Sequence, residues 1–475
     1  MTKFKWTEEN KKQYSNEYAQ MKWISDDEIR KASEERDALL LWLKEAGVSF
    51  GYDETKLDCR RLAPGCRCCG DGQWSCLFIN GMCNARCFYC PTTQHELGQP
   101  TTNTVQFSTP EDYIEYIERF QFKGIGLSGG EPLLSPERTL NFLSEIKMNF
   151  ADSLHVWLYT NGTKVTPSIL KQLKDAGLDE MRFDLVAIDY DLEKINLAAQ
   201  YIPVITVEIP AVPDDYELMK IKLREMKEAG VQYLNLHQLR CTPHNCSELM
   251  KRGYTFLHGP RVTVLESELT ALKLIKYSIE ERIDLPINYC SFIYKNRYQG
   301  IAAQKRYAEV IKKNFEDITC YGMIRTLSVT GNPDDLNQLA ETFKENGCDA
   351  ERWDYDSTGN RFYFAKEFAS FVDSGKFSLH IGYHLSYMKP AVSFMNVFKE
   401  IRLKSGKKIV IERQPACPEF VLHGKEAVEA FKTLFLEPGE SHFSHEEEES
   451  LKKNINNIDE IWEYERIVPG LMDYY

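Results

Sequence analysis

Residues 74–90, WSCLFINGMCNARCFYC, join a β-rich run to a loop that carries three cysteines. Five more β-rich runs follow: KGIGLSG (123–129), HVWLYTNG (155–162), EMRFDLV (180–186), VITVEIP (204–210) and YLNLHQL (233–239). Helical patterns separate them, and that alternation predicts parallel strands joined by crossover helices. Thr109-Pro110, Ser135-Pro136 and Thr166-Pro167 each set a capping side chain before a proline at the first helical position, where its missing N–H is not needed. Gly177 and Gly230 stand where two of the helices should end. The expected fold class is α/β, a partial (βα)6 TIM-like barrel with its reactive groups at the C-terminal strand ends.

Outward from this core, residues 1–48 read as a polar helical cover, with Leu39, Leu40 and Leu43 before a stop at Gly47. The stretch LDCRRLAPGCRCCGDG (57–72) cannot fill a core alone and needs something to hold it together. A long helical region is expected over 264–283 and 291–313, with the short run LPINYCSFI between. From about 316 the pattern becomes α+β: YGMIRTLSVTG as strand, PDDLNQLAETFKENG as helix, FSLHIGYHL and KKIVIERQP as further strands. The HEEEES run (445–450) reads as a solvated surface turn. Three parts are expected: a helical and Cys-rich segment (1–72), a barrel with helical extension (73–315) and a C-terminal α+β domain (316–475), because 475 residues exceed what one core organises.

The formal charge of −13 disfavours broad contact with nucleic acid or anionic membranes, which are bound by neutralising phosphates with Lys and Arg. The chain has no run of eighteen apolar residues and begins MTKFKWTEENKKQ, so a cytoplasmic protein without a membrane partner is expected. Fourteen cysteines clustered in a long chain point to metal or cluster ligation rather than disulfides.

Cys83-x3-Cys87-x2-Cys90, with Tyr89 beside the third, directly follows the first strand. Three thiolates on one tight loop hold three irons of a cubane and leave the fourth iron open to a ligand. A zinc site would need a fourth ligand that this loop does not supply. Ser128-Gly129-Gly130-Glu131-Pro132 ends the second strand, and its glycines let backbone approach a ligand closely. Together these motifs resemble the signature of the radical S-adenosylmethionine (radical SAM) superfamily over residues 73–240. The resemblance implies a [4Fe-4S] cluster on Cys83, Cys87 and Cys90 that reductively cleaves S-adenosylmethionine to a 5'-deoxyadenosyl radical, which abstracts hydrogen from a substrate. It implies cofactor contacts from Tyr89, Gly129, Gly130 and Glu131. Asn161 in Tyr159-Thr160-Asn161-Gly162, Asp184 at the end of the fourth strand and Glu208 on the fifth are further candidates, each equally readable as a cap or strand-end hydrogen bonder. Arg182, Asp184, Glu208, Asn235 and His237 fall on runs that should be buried, where charge needs a partner, and a polar substrate suits them. The catalytic residue itself stays unassigned.

Upstream, Cys59-x6-Cys66-x-Cys68-Cys69-x6-Cys76 offers a second site, with Cys66 and Cys69 in knuckle spacing and Cys59 and Cys76 completing four ligands. An auxiliary iron-sulfur cluster, a mononuclear iron and a structural zinc all fit. In HQLRCTPHNC, the residues His237, Cys241, His244 and Cys246 match no rigid metal template and read as a substrate-facing loop. Cys290, Cys320, Cys348 and Cys417 are scattered, as small buried hydrophobes usually are.

The run from Cys66 to Cys83 resembles an uncharacterised branch related to pyruvate formate-lyase activating enzymes. The chain has neither a ferredoxin-like eight-cysteine insert nor a cysteine-rich C-terminal tail. Expected partners are a reductant such as ferredoxin or flavodoxin and a polar small-molecule or cofactor-precursor substrate. Modification of a protein, including glycyl-radical activation, is the second enzymatic reading. A non-catalytic iron-sulfur electron carrier would leave Gly129–Glu131 unexplained, and a zinc-bound scaffold would contain neither iron nor sulfide.

Overall fold

The strand-helix alternation builds one continuous sheet in a computed structural model that describes residues 3–58, 61–437 and 445–475. The strands that concern the site are β1 (Lys56–Asp58), β2 (Trp74–Asn80), β3 (Gly124–Gly129), β4 (His155–Thr160), β5 (Glu180–Phe183), β6 (Val204–Pro210), β7 (Tyr233–His237) and β8 (Ile287–Cys290). Their order across the sheet is β1-β8-β7-β6-β5-β4-β3-β2, so every strand from β2 to β8 lies beside its sequence neighbour. These seven are parallel, and β1 runs antiparallel on the β8 edge. The six expected strands are all present. The seventh, β8, comes from LPINYCSFI, whose four strand residues between two helical stretches are too short for periodicity to declare.

Helices start where Pro110, Pro136 and Pro167 stand, although only Thr166 places its side chain on a helical N–H, that of Ile169. The helix Pro110–Phe120 buries Tyr113, Ile114, Tyr116, Ile117 and Phe120, a stripe at helical period that packs it on the sheet. The N-terminal helix Asp26–Glu45 is opened by a capping box between Ser25 and Glu28 and buries Leu39 and Leu43. Among the described residues no helix is long and apolar enough to cross a membrane.

Along the strands side chains alternate between helices and lumen. In β2, Ser75, Leu77 and Ile79 are buried, Ser75 against Tyr113 of the covering helix. Trp74 and Cys76 take the other face, where the Trp74 ring stacks on Trp157 of β4 at 6.0 Å. A short helix, Pro64–Gly70, packs on the starts of β3 and β4. It fits only because its glycines carry no side chain: a Cβ on Gly65 would lie 2.3 Å from Arg182 Nη2, and one on Gly70 1.8 Å from the Tyr52 hydroxyl.

The chain divides into two compact units. The first takes in Met1–Gly300 with Leu403–Lys407 and Val468–Tyr475, the second Ile301–Arg402 and Lys408–Ile467. The second unit is built on the antiparallel strands Ile324–Thr330, Ser378–Lys389 and Lys408–Pro415, with the helices Pro333–Glu345 and Lys425–Phe435 over a core centred on Phe343, Phe362 and Phe431. Five of its strands, Asp317–Ile318, Trp353–Asp356, Arg361–Phe364, Val397–Arg402 and Phe420–Leu422, are absent from the sequence reading. The HEEEES run is a correction: it forms the helix His445–Lys452, with Glu446, Glu447 and Glu448 in its first turn, where acidic groups suit the positive end of the helix dipole.

Candidate functional site

Strand β2 stops at Asn80 and hands the chain to the three-cysteine loop. Asn80 fixes that exit: its side chain accepts from Met82 N–H (3.0 Å) and donates to the Glu131 carbonyl (3.1 Å). The glycine loop after β3 is laced to the same residues, Gly130 N–H donating to Asn80 O (2.9 Å) and Glu131 N–H to Met82 O (2.7 Å). A Cβ on Gly129 would lie 2.1 Å from Asn80 O, and one on Gly130 2.0 Å from Met82 O. No other residue type permits that approach. The Glu131 carboxylate is fully buried and accepts from Leu133 N–H, the Thr160 hydroxyl and Asn161 N–H. It therefore braces β3 to β4, and does not line the cavity described below.

Asn161 reaches the cysteine loop from the end of β4, its amide donating to Asn84 Oδ1 (3.0 Å) and lying 3.7 Å from the Cys83 sulfur. The Tyr89 hydroxyl bonds both oxygens of Asp184 at 2.7 Å, tying the cysteine loop to the end of β5. Burial pushes Asp184 up to about 6, against the opposing pull of Tyr89 and of the Ala187 and Val186 N–H groups. Asn245 holds Tyr89 from below, its amide donating to the Tyr89 carbonyl at 2.9 Å.

A cavity of about 450 Å³ gathers these groups. Cys83, Cys87 and Cys90 line one part with Tyr89, Gly129 and Gly130, and Asn161, Asp184 and Glu208 another. Arg182, His237, Arg240 and Lys295 complete its polar wall. A second cavity of about 710 Å³ shares the three cysteines and adds His95, His244 and Glu248. Among the described residues no three thiols, imidazoles or carboxylates already surround a common point, so ligation would draw the loop sulfurs together.

The polar wall is an ion network. Arg182 donates to Glu180 (2.7 Å) and to Glu208 (2.7 Å), and Glu180 also bonds His155 and Thr206 at 2.8 Å each. Burial works against ionising Glu180, yet Arg182 and His155 hold it down at about 2. Burial likewise opposes ionisation of Glu208, and Arg182, Lys295 and His237 outweigh it. His237 is driven down to about 4 by burial and by Lys295. The Arg182 guanidinium lies 4.9 Å from the Trp157 ring centre, a cation-π contact that helps it tolerate 3% exposure.

The sequence model of the radical SAM superfamily matches residues 77–199. A protein of Methanocaldococcus jannaschii, named as a candidate glycyl-radical enzyme activating enzyme, is 33% identical over 359 residues, 73% of this chain and 94% of the relative. The chain belongs to the radical SAM superfamily. A GTP 3',8-cyclase of Nautilia profundicola is 32% identical over 111 residues, 22% of this chain and 33% of the cyclase. Among solved structures, Streptococcus suis SuiB bound to S-adenosylmethionine aligns with 64% of this chain and 67% of its own, at 11% identity and a TM-score of 0.36. As a radical SAM enzyme the chain takes a [4Fe-4S] cluster and S-adenosylmethionine as cofactors. The donor set at the cavity fits that pair: three thiols for three irons, with Gly129, Gly130, Asn161 and Asp184 lining the same space.

Of the other sequence candidates, Cys59 lies outside the described residues. Cys76 hydrogen bonds Ser128 and is pushed up to about 12 by burial. Cys66 is buried on the helix Pro64–Gly70 and accepts from Asn235 Nδ2 at 3.0 Å. Cys241 and Cys246 are free thiols that share a hydrogen bond in a small core with Tyr14 and Phe256, while His237 lines the cavity and His244 the neighbouring one, so HQLRCTPHNC holds no joint site. Lys295 and Arg240 escaped the sequence reading, since neither falls on a β-rich run. Cys290, read from the sequence as a scattered buried hydrophobe, ends the undeclared strand β8 and pairs with Lys56 of β1 in the sheet register.

Proposed function

We propose that this radical SAM enzyme holds its cluster on Cys83, Cys87 and Cys90 and abstracts hydrogen from a polar small molecule or cofactor precursor. One observation carries the reading: the three loop thiols, the glycine loop and the charged groups of β5, β6 and β7 share a single cavity. When bound, the cluster supplies one-electron reductive cleavage of S-adenosylmethionine, the electron coming from a ferredoxin- or flavodoxin-type reductant. The chain positions the reactants. Gly129 and Gly130 line the cavity and, lacking side chains, let the cysteine loop close against the end of β3, and Asn161 and the Tyr89–Asp184 pair offer polar contacts at the strand ends. Arg182, Glu208, His237 and Lys295 supply hydrogen-bonding and charged partners suited to a polar substrate.

The M. jannaschii relative favours a second reading, activation of a glycyl-radical enzyme, because the match spans 94% of that protein. One experiment separates the two. After anaerobic reconstitution with iron and sulfide and reduction by dithionite, 5'-deoxyadenosine is assayed in the wild type and in Cys87→Ala. Release in the wild type that vanishes in Cys87→Ala supports the cluster assignment; equal release in both sinks it. A glycyl-type electron paramagnetic resonance doublet on an added glycyl-radical enzyme selects protein activation. Stimulation by polar metabolites, without such a partner, selects the small-molecule reading.

A further inference from the structure

Outside the cavity lining, three further thiols, Cys66, Cys69 and Cys290, stand within electrostatic range of a buried cation, Lys56. Cys66 and Cys69 lie one turn apart on the helix Pro64–Gly70, as the i and i+3 positions of a helix require. Cys290 closes β8, opposite Lys56 of β1 in the sheet register. The Lys56 side chain is 2% exposed, and the groups in electrostatic range of its ammonium include Cys290, Cys66 and Cys69. Cys69 in turn is within range of both Cys290 and Cys66. Glu208 is also within range of the ammonium, and the Tyr294 ring centre lies 4.4 Å from it; an anionic cluster on the three thiols adds a second counter-charge to a cation held out of water.

Two neighbouring elements aim a donor at these thiols. Asn235 of β7 gives its amide to the Cys66 sulfur and also to Glu208 Oε2 at 3.2 Å. Gln299, in the π-helical turn Lys295–Gly300, gives its amide to the Cys69 sulfur. π-helical turns inside helical segments recur at functional sites. Amide donors on the sulfurs and a buried positive charge are what an anionic thiolate-bound cluster needs from its surroundings.

We propose that Cys66, Cys69 and Cys290 ligate a second iron-sulfur cluster, with Lys56 as its counter-charge. The ligand set differs from the one the sequence spacing suggested. Cys290, more than two hundred residues downstream of Cys66, takes the place of Cys76, whose thiol bonds Ser128 at the end of β3 and is not among the groups around Lys56 and Cys69. As on the loop above, ligation draws the sulfurs in. Glu208 bridges the two levels, since it lines the cavity and shares the Asn235 amide with Cys66.

The test works in a background that lacks the first site. In Cys83→Ala/Cys87→Ala/Cys90→Ala, purified and reconstituted without oxygen, roughly four irons and as much sulfide per chain are expected to remain, with cluster absorption and a paramagnetic signal on reduction. Adding Cys290→Ala removes both iron and signal, whereas adding Cys76→Ala leaves them. Thermal unfolding and far-ultraviolet circular dichroism establish that each variant is folded, and Cys290→Ser serves as a second probe if Cys290→Ala is not. An iron-free triple variant, zinc without sulfide, or iron that survives the loss of Cys290 but not of Cys76 overturns the assignment. The readout does not depend on turnover, so it fails independently of the function proposed above.

Discussion

Replacing Arg182 with methionine removes the cation that holds two buried carboxylates while keeping most of the side-chain volume. A carboxyl carried from its ordinary 4.5 down to about 2, as Glu180 is, stabilises the folded chain by roughly 3 kcal/mol at neutral pH, at 1.36 kcal/mol per tenfold change in proton affinity. Because its affinity for protons is lowered on folding, that contribution is complete above about pH 4.5 and disappears as pH falls through about 2. Without Arg182, Glu180 keeps His155 and Thr206, but burial now pushes its carboxyl upward. Glu208 loses the same partner and keeps Asn235. The expected cost near pH 7 is about 3–5 kcal/mol, the usual range for breaking a buried pair from one side. The deficit narrows toward pH 5, where the stranded carboxylates take up protons. Adding Glu180→Gln recovers part of the loss. Urea unfolding followed by tryptophan emission at both pH values measures this, with Trp157 against the guanidinium as a local reporter. A loss below about 1 kcal/mol at pH 7, or an equal deficit at the two pH values, refutes the argument.

Two further substitutions address the mouth of the cavity. Gly130→Ala sets a methyl carbon 2.0 Å from the Met82 carbonyl, so the cysteine loop must shift; S-adenosylmethionine affinity of the reconstituted enzyme, measured by equilibrium dialysis, should fall at least about tenfold, and unchanged affinity would mean that the loop does not bear on the cofactor. Tyr89→Phe removes a donor that opposes the burial-driven rise of Asp184 to about 6; the acidic limb of the 5'-deoxyadenosine pH profile should move to higher pH, and an unmoved limb would show that Asp184 does not govern it.

Much of the barrel was legible because its strands are long, β-rich and bounded by proline-started helices. Trp74–Asn80 and Val204–Pro210 each run for seven residues. Ile287–Cys290 runs for four between helical stretches, and nothing local marks it. In the second unit, Val397–Arg402 exposes most of its residues, so no apolar alternation betrays it. Charge density misled at His445–Lys452, where a polar run was taken for a turn although three glutamates in a first turn favour a helix. Residues chosen from strand ends, Asn161, Asp184 and Glu208, do line one cavity with the three cysteines, because parallel topology brings strand ends together whatever the distance in sequence. The position of Cys290 follows from sheet register alone, which single-sequence spacing cannot supply.

The short helix Pro64–Gly70 acts as a stopper. Gly65 lies against Arg182 and Trp157, Gly70 against Tyr52, and Gly124 of β3 against Cys68, each without clearance for one methyl group. Contacts this close leave no room for a larger residue at those three positions. Guarding a reactive carbon from stray hydrogen donors then falls to whatever covers the strand ends.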